Sequence, residues 1–140
     1  MEKTPLFLTI LSISLLLTLS ACAANGSGVA GTSWKLTSYG PASAPIPAVP
    51  GVETDLTFGA NGQLSGRLGC NSMGGDYSVS GQKITFGSVF ATQMACDEAR
   101  MAQEDAAFQV LNNTVSFTVS GNTLTITSAD GKSILVFTQQ

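Results

Sequence analysis

The chain has 140 residues, a net charge of −3, three cysteines and no histidine. That leaves room for one domain with a real core and not for two, and it removes both the usual base of nucleophilic catalysis and the commonest zinc ligand. Lys35, Arg67, Lys83, Arg100 and Lys132 are spread singly, so there is no basic stripe for nucleic acid or anionic lipid headgroups, and the scarcity of charge beside abundant Thr, Ser and Gly favours β structure over helix.

At the N-terminus Lys3 precedes an apolar run from Leu6 to Leu19 that ends in "SACAANG". The run is about 14 residues, short of the roughly 20 that a spanning helix needs, and reads as a signal peptide over 1–21. Its end, "LSAC" at Leu19 to Cys22, resembles a bacterial lipobox, which makes Cys22 the expected first mature residue and the site of lipid attachment. Residues 22–33, rich in Gly, Ala and Ser, then form an expected flexible tether, and 34–138 the folded domain. Ala23 stands where many enteric lipoproteins retained at the inner membrane carry aspartate. That favours the periplasmic face of an outer membrane if the cell has two membranes, and otherwise the outer face of the plasma membrane.

"SWKLTSY" begins the domain as a strand, followed by "GPASAPIPAVPG", whose prolines force an irregular surface connection. From Val52 a two-residue period sets in: Val52, Thr54, Leu56 and Phe58 face one way and Glu53, Asp55 and Thr57 the other. "GANG" turns the chain, and Leu64, Gly66, Leu68 and Cys70 share the inner face of the returning strand. Further strands are expected at Met73–Val79, with a bulge at Gly74 and Gly75, at Lys83–Phe86, Val115–Val119, Thr123–Thr127 and Ser133–Phe137. "ILVF" in the last is apolar on both faces, which requires a central or covered strand.

One segment breaks the β rhythm. Asp97 to Asn113 has the composition of a helix, with Asp97 and Glu98 at its positive start and Met101, Phe108 and Leu111 at compatible spacing. Glu104 and Asp105 read as its solvated face. The fold class is therefore mainly β (α+β): an antiparallel curled sheet or incomplete β-barrel of about eight strands with one packed amphipathic helix.

Acylation of Cys22 would leave Cys70 and Cys96, an even pair that in an oxidising compartment is by default a disulfide. Two other readings compete. Cys70, Met73, Met94 and Cys96 form a soft set suited to Cu(I), but methionine is an ordinary core filler. A catalytic thiol lacks its histidine. For an enzyme the place to look is a cleft gathering Arg67, Asn71, Asp76 and Tyr77, although Asn71 is explained as a turn residue bonding local backbone and Tyr77 as an amphipathic strand residue.

"SWKL", "SGRLGCNSMGGDY", "TQMAC", then Glu104, Phe108 and Leu111, and finally "LVF" together resemble the META domain, or HslJ-like, family, from about Trp34 to Phe137. The resemblance implies a barrel-like domain with a helix packed on it and a bridge that falls on Cys70 and Cys96. It implies no established enzymatic activity, only an accessory role in the envelope. The expected function is that of a noncatalytic, membrane-tethered envelope lipoprotein without cofactor or metal, acting through a protein partner or structurally. The alternative is a carrier of lipid or hydrophobic peptide in a barrel cavity, which a core filled by Phe58, Phe86, Phe117 and Phe137 would oppose.

Overall fold

The computed structural model describes residues 28–140; the expected signal peptide, Cys22 and the chain to residue 27 lie outside the described residues. In chain order come β1 (Thr32–Pro41), β2 (Ile46–Pro47), β3 (Asp55–Phe58), β4 (Gln63–Arg67), β5 (Ser72–Ser80), β6 (Lys83–Phe86), β7 (Phe90–Ala91), α1 (Glu98–Val110), β8 (Thr114–Ser120), β9 (Thr123–Thr127) and β10 (Ser133–Gln139). β1, β3, β4, β5, β6, β8, β9 and β10 pair in succession, all antiparallel, and β10 pairs back onto β1 from Trp34↔Gln139 to Pro41↔Ser133. The expected curled sheet is thus a closed eight-stranded barrel, and closure removes the free sheet edges that would template pairing with other chains.

Alternation places the core. Leu56 and Phe58 on β3, Ile84 and Phe86 on β6, Leu124 and Ile126 on β9, and Leu135 and Phe137 on β10 all point inward and are buried. Trp34, Phe58 and Phe137 are fully buried, each worth about 1.5–3 kcal/mol of transfer from water. The Tyr77 ring meets Phe58 edge to face at 5.0 Å between centroids. Phe86 and Phe117 complete the aromatic filling. β10 lies between β9 and β1, and its outward Ile134 and Val136 are half-buried.

Two details of register differ from the two-residue period. In β1 the pairing slips between Leu36 and Ser38, so the inward set passes from Trp34 and Leu36 to Tyr39. No bulge occurs at Gly74 and Gly75, where the β4–β5 ladder runs unbroken from Gly66↔Met73 to Gln63↔Asp76. Those glycines make room instead. A Cβ on Gly74 would stand 2.8 Å from the Phe90 ring, and one on Gly75 would stand 2.7 Å from the Ser88 carbonyl oxygen.

The up-and-down path gives the barrel two unlike ends. At the turn end lie the loops at Gly59–Gly62, Gly81–Gln82 and Gly121–Asn122, together with Gly28–Gly31. Val29 plugs this end, fully buried, and the Gly31 N–H donates to the Phe58 carbonyl at 2.7 Å. The folded part therefore begins ahead of Trp34, inside the segment expected as tether. At the opposite, helix end lie the proline-rich connection, residues 68–71, α1 and the Ser128–Lys132 turn. Ile46 and Pro47 of the proline-rich connection pair with Tyr39 and Ser38, at the margin where proline costs no ladder hydrogen bond.

Candidate functional site

After Arg67 the chain leaves the sheet ladder, and Leu68 to Asn71 are all buried. Buried backbone N–H and C=O groups must find partners. Here α1 supplies them. Gln103 Nε2 donates to the Leu68 carbonyl at 2.6 Å, and Gln103 Oε1 accepts from the Val49 N–H of the proline-rich connection at 2.7 Å. Glu104 Oε2 accepts from the N–H of Cys70 at 2.7 Å and from that of Asn71, and Oε1 accepts from Asn71 Nδ2 at 2.6 Å. Asn71 Oδ1 then accepts from the Met94 N–H at 2.6 Å and from Thr92 Oγ1 at 3.0 Å.

This latch holds three stretches distant in sequence: residues 68–71, residues 92–94 and the middle of α1. Gly69 is required by distance, since a Cβ there would meet the Arg100 carbonyl oxygen at 2.5 Å and Glu104 Cβ at 2.7 Å. Cys70 is bridged to Cys96, with Cα atoms 5.8 Å apart. The bridge lies one residue before the helix cap, where Asp97 accepts from the Arg100 N–H at 3.1 Å. The pairing of Arg100 with Asp97 at 3.1 Å is surface-exposed and contributes little. The residues of "GCN" have three separate tasks: close approach, crosslink and polar anchor.

Glu104 corrects an expectation. Asp105 is solvated as read, but Glu104 is only 4% exposed. The buried face of α1 is Gln103, Glu104, Ala107 and Val110, continued by Leu111, while Met101 and Phe108 are half-buried. The face is polar at its centre because it packs on backbone that has left the sheet, where an apolar residue would strand three donors. Asn71 is likewise no local turn residue, since its side-chain partners lie 21 to 33 residues away. Both oxygens of Glu104 are engaged by the protein's own N–H groups, which makes it an acceptor for structure and not a free base.

The other sequence candidates fall apart in space. Both cysteine sulfurs are spent in the bridge, Met73 is buried and Met94 is 57% exposed, so the four-sulfur set is not assembled. Asp76 points outward and accepts from Gln63 Nε2 at 2.6 Å. Tyr77, its neighbour on β5, points inward and donates to the Gly59 carbonyl at 2.6 Å. Burial raises the Tyr77 hydroxyl above its ordinary 10.0. Arg67 donates to Ser72 Oγ at 3.2 Å, four residues along β5 from Asp76. The structure does not bring Arg67, Asn71, Asp76 and Tyr77 into one cleft.

Sequence reasoning missed the surface beside the latch. Residues 87–91 run from β6 to the two-residue β7, which pairs with Met73 and Gly74. Between them and Phe108, Leu111 and Asn112 of the helix C-terminal region opens a groove of about 470 Å³. Phe90 forms its lip, lying over the bare backbone of Gly74 and 68% exposed. The signal available was the pair of glycines in β5, where Gly74 seats the ring and Gly75 the backbone of Ser88. Leu111 at the floor belongs to the core, so the groove rests on rigid structure.

With this geometry in place, the comparisons agree on the type of domain. The META domain pattern matches residues 27–140. An NMR structure of a protein from Burkholderia xenovorans is 26% identical, covers 81% of this chain and 84% of its own, and superposes with a TM-score of 0.66. A crystal structure of a DUF4847 family protein from Bacteroides vulgatus ATCC 8482 is 14% identical over 79% of this chain and 93% of its own, with a TM-score of 0.57, and shows the fold alone. No curated protein matches the chain. The chain belongs to the META domain family.

Proposed function

We propose that this META domain protein is a noncatalytic lipoprotein of the cell envelope, exported by the peptide over 1–21, anchored through lipid on Cys22, and acting by binding an apolar segment of another envelope protein. The observation that carries the binding role is Phe90. A phenylalanine held two-thirds exposed at the lip of an open groove, against a rigid barrel, gives up about 1–2 kcal/mol that burial would return. A partner side chain covering it recovers that energy at little conformational cost, because ring and floor are already fixed.

The rings of Trp34, Phe58, Phe86, Phe117 and Phe137 fill the barrel interior and weigh against a carrier with its ligand inside. The oxygens of Glu104 are committed to the latch, which weighs against general-base chemistry there. Envelope maintenance or stress is the setting that the family and the lipobox-like "LSAC" favour, at the outer membrane or the outer face of the plasma membrane.

Two measurements test the reading. Mass spectrometry of the mature chain should begin at Cys22 with a lipid adduct, and Cys22→Ser should leave precursor or release soluble chain. A photoreactive side chain at position 90 should crosslink one discrete envelope protein, while the same group at position 105 on the solvated helix face should not. A soluble, unmodified product removes the anchor. Equal labelling from 90 and 105 removes the groove as the binding surface.

A further inference from the structure

Resting on the lipid anchor just proposed, we infer that the turn end of the barrel is a membrane-facing surface, apposed to the lipid headgroups, and that the helix end with its groove is held away from the bilayer. The first observation is where the chain enters the fold. Val29 is fully buried, its carbonyl accepts from the Thr32 N–H at 3.2 Å, and Gly28 lies against Val119 on the last turn of β8. The chain thus emerges at the turn end, beside the Gly121–Asn122 turn.

The second observation is reach. From Cys22 to Gly28 there are six residue steps, at most about 21 Å fully extended. The eight steps of the nine-residue β5 rise about 27 Å along the strand, or about 21 Å along the barrel axis at the usual tilt. Bringing the helix end onto the bilayer would lift the entry point by that barrel height, which only a fully extended linker spans.

Charge points the same way. The turn-end segments Gly28–Gly31, Gly59–Gly62, Ser80–Gln82 and Ser120–Asn122 contain no charged side chain. At the helix end the exposed acids Glu53, Asp97, Glu98, Asp105 and Asp130 outnumber the exposed bases Arg67, Arg100 and Lys132. Apposing small neutral loops to headgroups strips water from no side-chain charge, whereas apposing the acidic end to an anionic surface adds repulsion across a layer thinner than the roughly 8 Å screening length. The partner is therefore the polar layer of the bilayer to which the chain is tethered, and the groove opens toward the envelope space.

The test uses the full lipidated chain, disulfide intact, in vesicles of phosphatidylethanolamine and phosphatidylglycerol carrying a headgroup nitroxide. A fluorophore is placed through a single added cysteine at Asn122→Cys or Gln82→Cys on the turn end, and at Ala129→Cys or Ala44→Cys on the helix end. All four positions are exposed. Quenching is expected at least about threefold stronger at 122 and 82 than at 129 and 44, given the steep short-range fall-off of such quenching over a separation of about 21 Å. Inserting about 20 Gly and Ser residues after Ala24 should erase most of that contrast. Vesicle-bound chain quenched equally at both ends, or more at the helix end, overturns the orientation. Chain that fails to bind vesicles and lacks lipid overturns the anchor, and the orientation with it.

Discussion

The two ends of this barrel are closed by opposite means. At the turn end, strands reverse through short loops with glycine at positive φ, Gly62 at 80°, Gly81 at 57° and Gly121 at 57°, so each reversal is closed within a few residues. At the helix end a 13-residue helix is set over the opening and held by partners 26 to 54 residues apart in sequence, through Glu104, Gln103 and the Cys70–Cys96 bridge. The turn end is stabilised by backbone conformation that one residue type can adopt. The helix end is stabilised by satisfying buried polar groups, so its failure modes are larger and less forgiving.

The largest effect should come from Glu104→Leu. It strands the N–H groups of Cys70 and Asn71 and the Asn71 amide without an acceptor, and we expect a loss of about 3–5 kcal/mol in urea unfolding of the oxidised chain. A loss below about 1 kcal/mol would show that water replaces the carboxylate. Opening the bridge comes next. Cys70→Ala with Cys96→Ala frees a loop closed over a sequence separation of 26, worth about 3.5 kcal/mol in the chain-entropy model. The barrel should persist by circular dichroism while hydrogen exchange in α1 accelerates.

A pair of glycines separates the two mechanisms most sharply. Gly69→Ala meets backbone of α1 and should cost about 1–3 kcal/mol, whereas Gly121→Ala meets nothing within 4 Å and should cost about 1 kcal/mol through its positive φ alone. Asparagine should rescue much of the loss at 121, because it tolerates the left-handed region, and should worsen the loss at 69. Identical responses at the two sites would collapse the distinction.

Tyr77→Phe removes the bond that ties β5 to the Gly59 carbonyl at the turn end, with an expected loss of about 1 kcal/mol. The folded state holds the Tyr77 proton more tightly than the unfolded chain. Its contribution is therefore whole below pH 10 and falls as pH rises through the raised value, so alkaline unfolding should differ less between wild type and Tyr77→Phe than unfolding at pH 7. The smallest effect belongs to Asp130 in the Ser128–Lys132 turn. The Ser128 hydroxyl, at 2.7 Å, and then the Lys132 N–H lower its carboxyl below 3.8. Its contribution is present above that value and is lost as pH falls through the lowered one. Asp130→Asn should therefore lower stability only slightly near pH 5 and converge with wild type toward pH 2, as tracked by thermal unfolding across that range.

The sequence by itself determined the eight staves of the barrel, the turns that join them, the inward Leu56, Phe58 and Leu64, and the place of the helix. Each of these follows from a two-residue period or from turn chemistry written within a few residues. It also pointed to Cys70 and Cys96 as partners, because exported cysteines pair. Only the tertiary structure decided that the sheet closes, that Glu104 turns inward, that Asn71 reaches the 92–94 segment and that Phe90 stands exposed over Gly74. Local pattern assigns a glutamate on a mostly polar helix to solvent. The demand that reverses this assignment comes from the N–H groups of Cys70 and Asn71, more than thirty residues away, which exist as unpaired donors only once the chain has left the sheet beneath the helix.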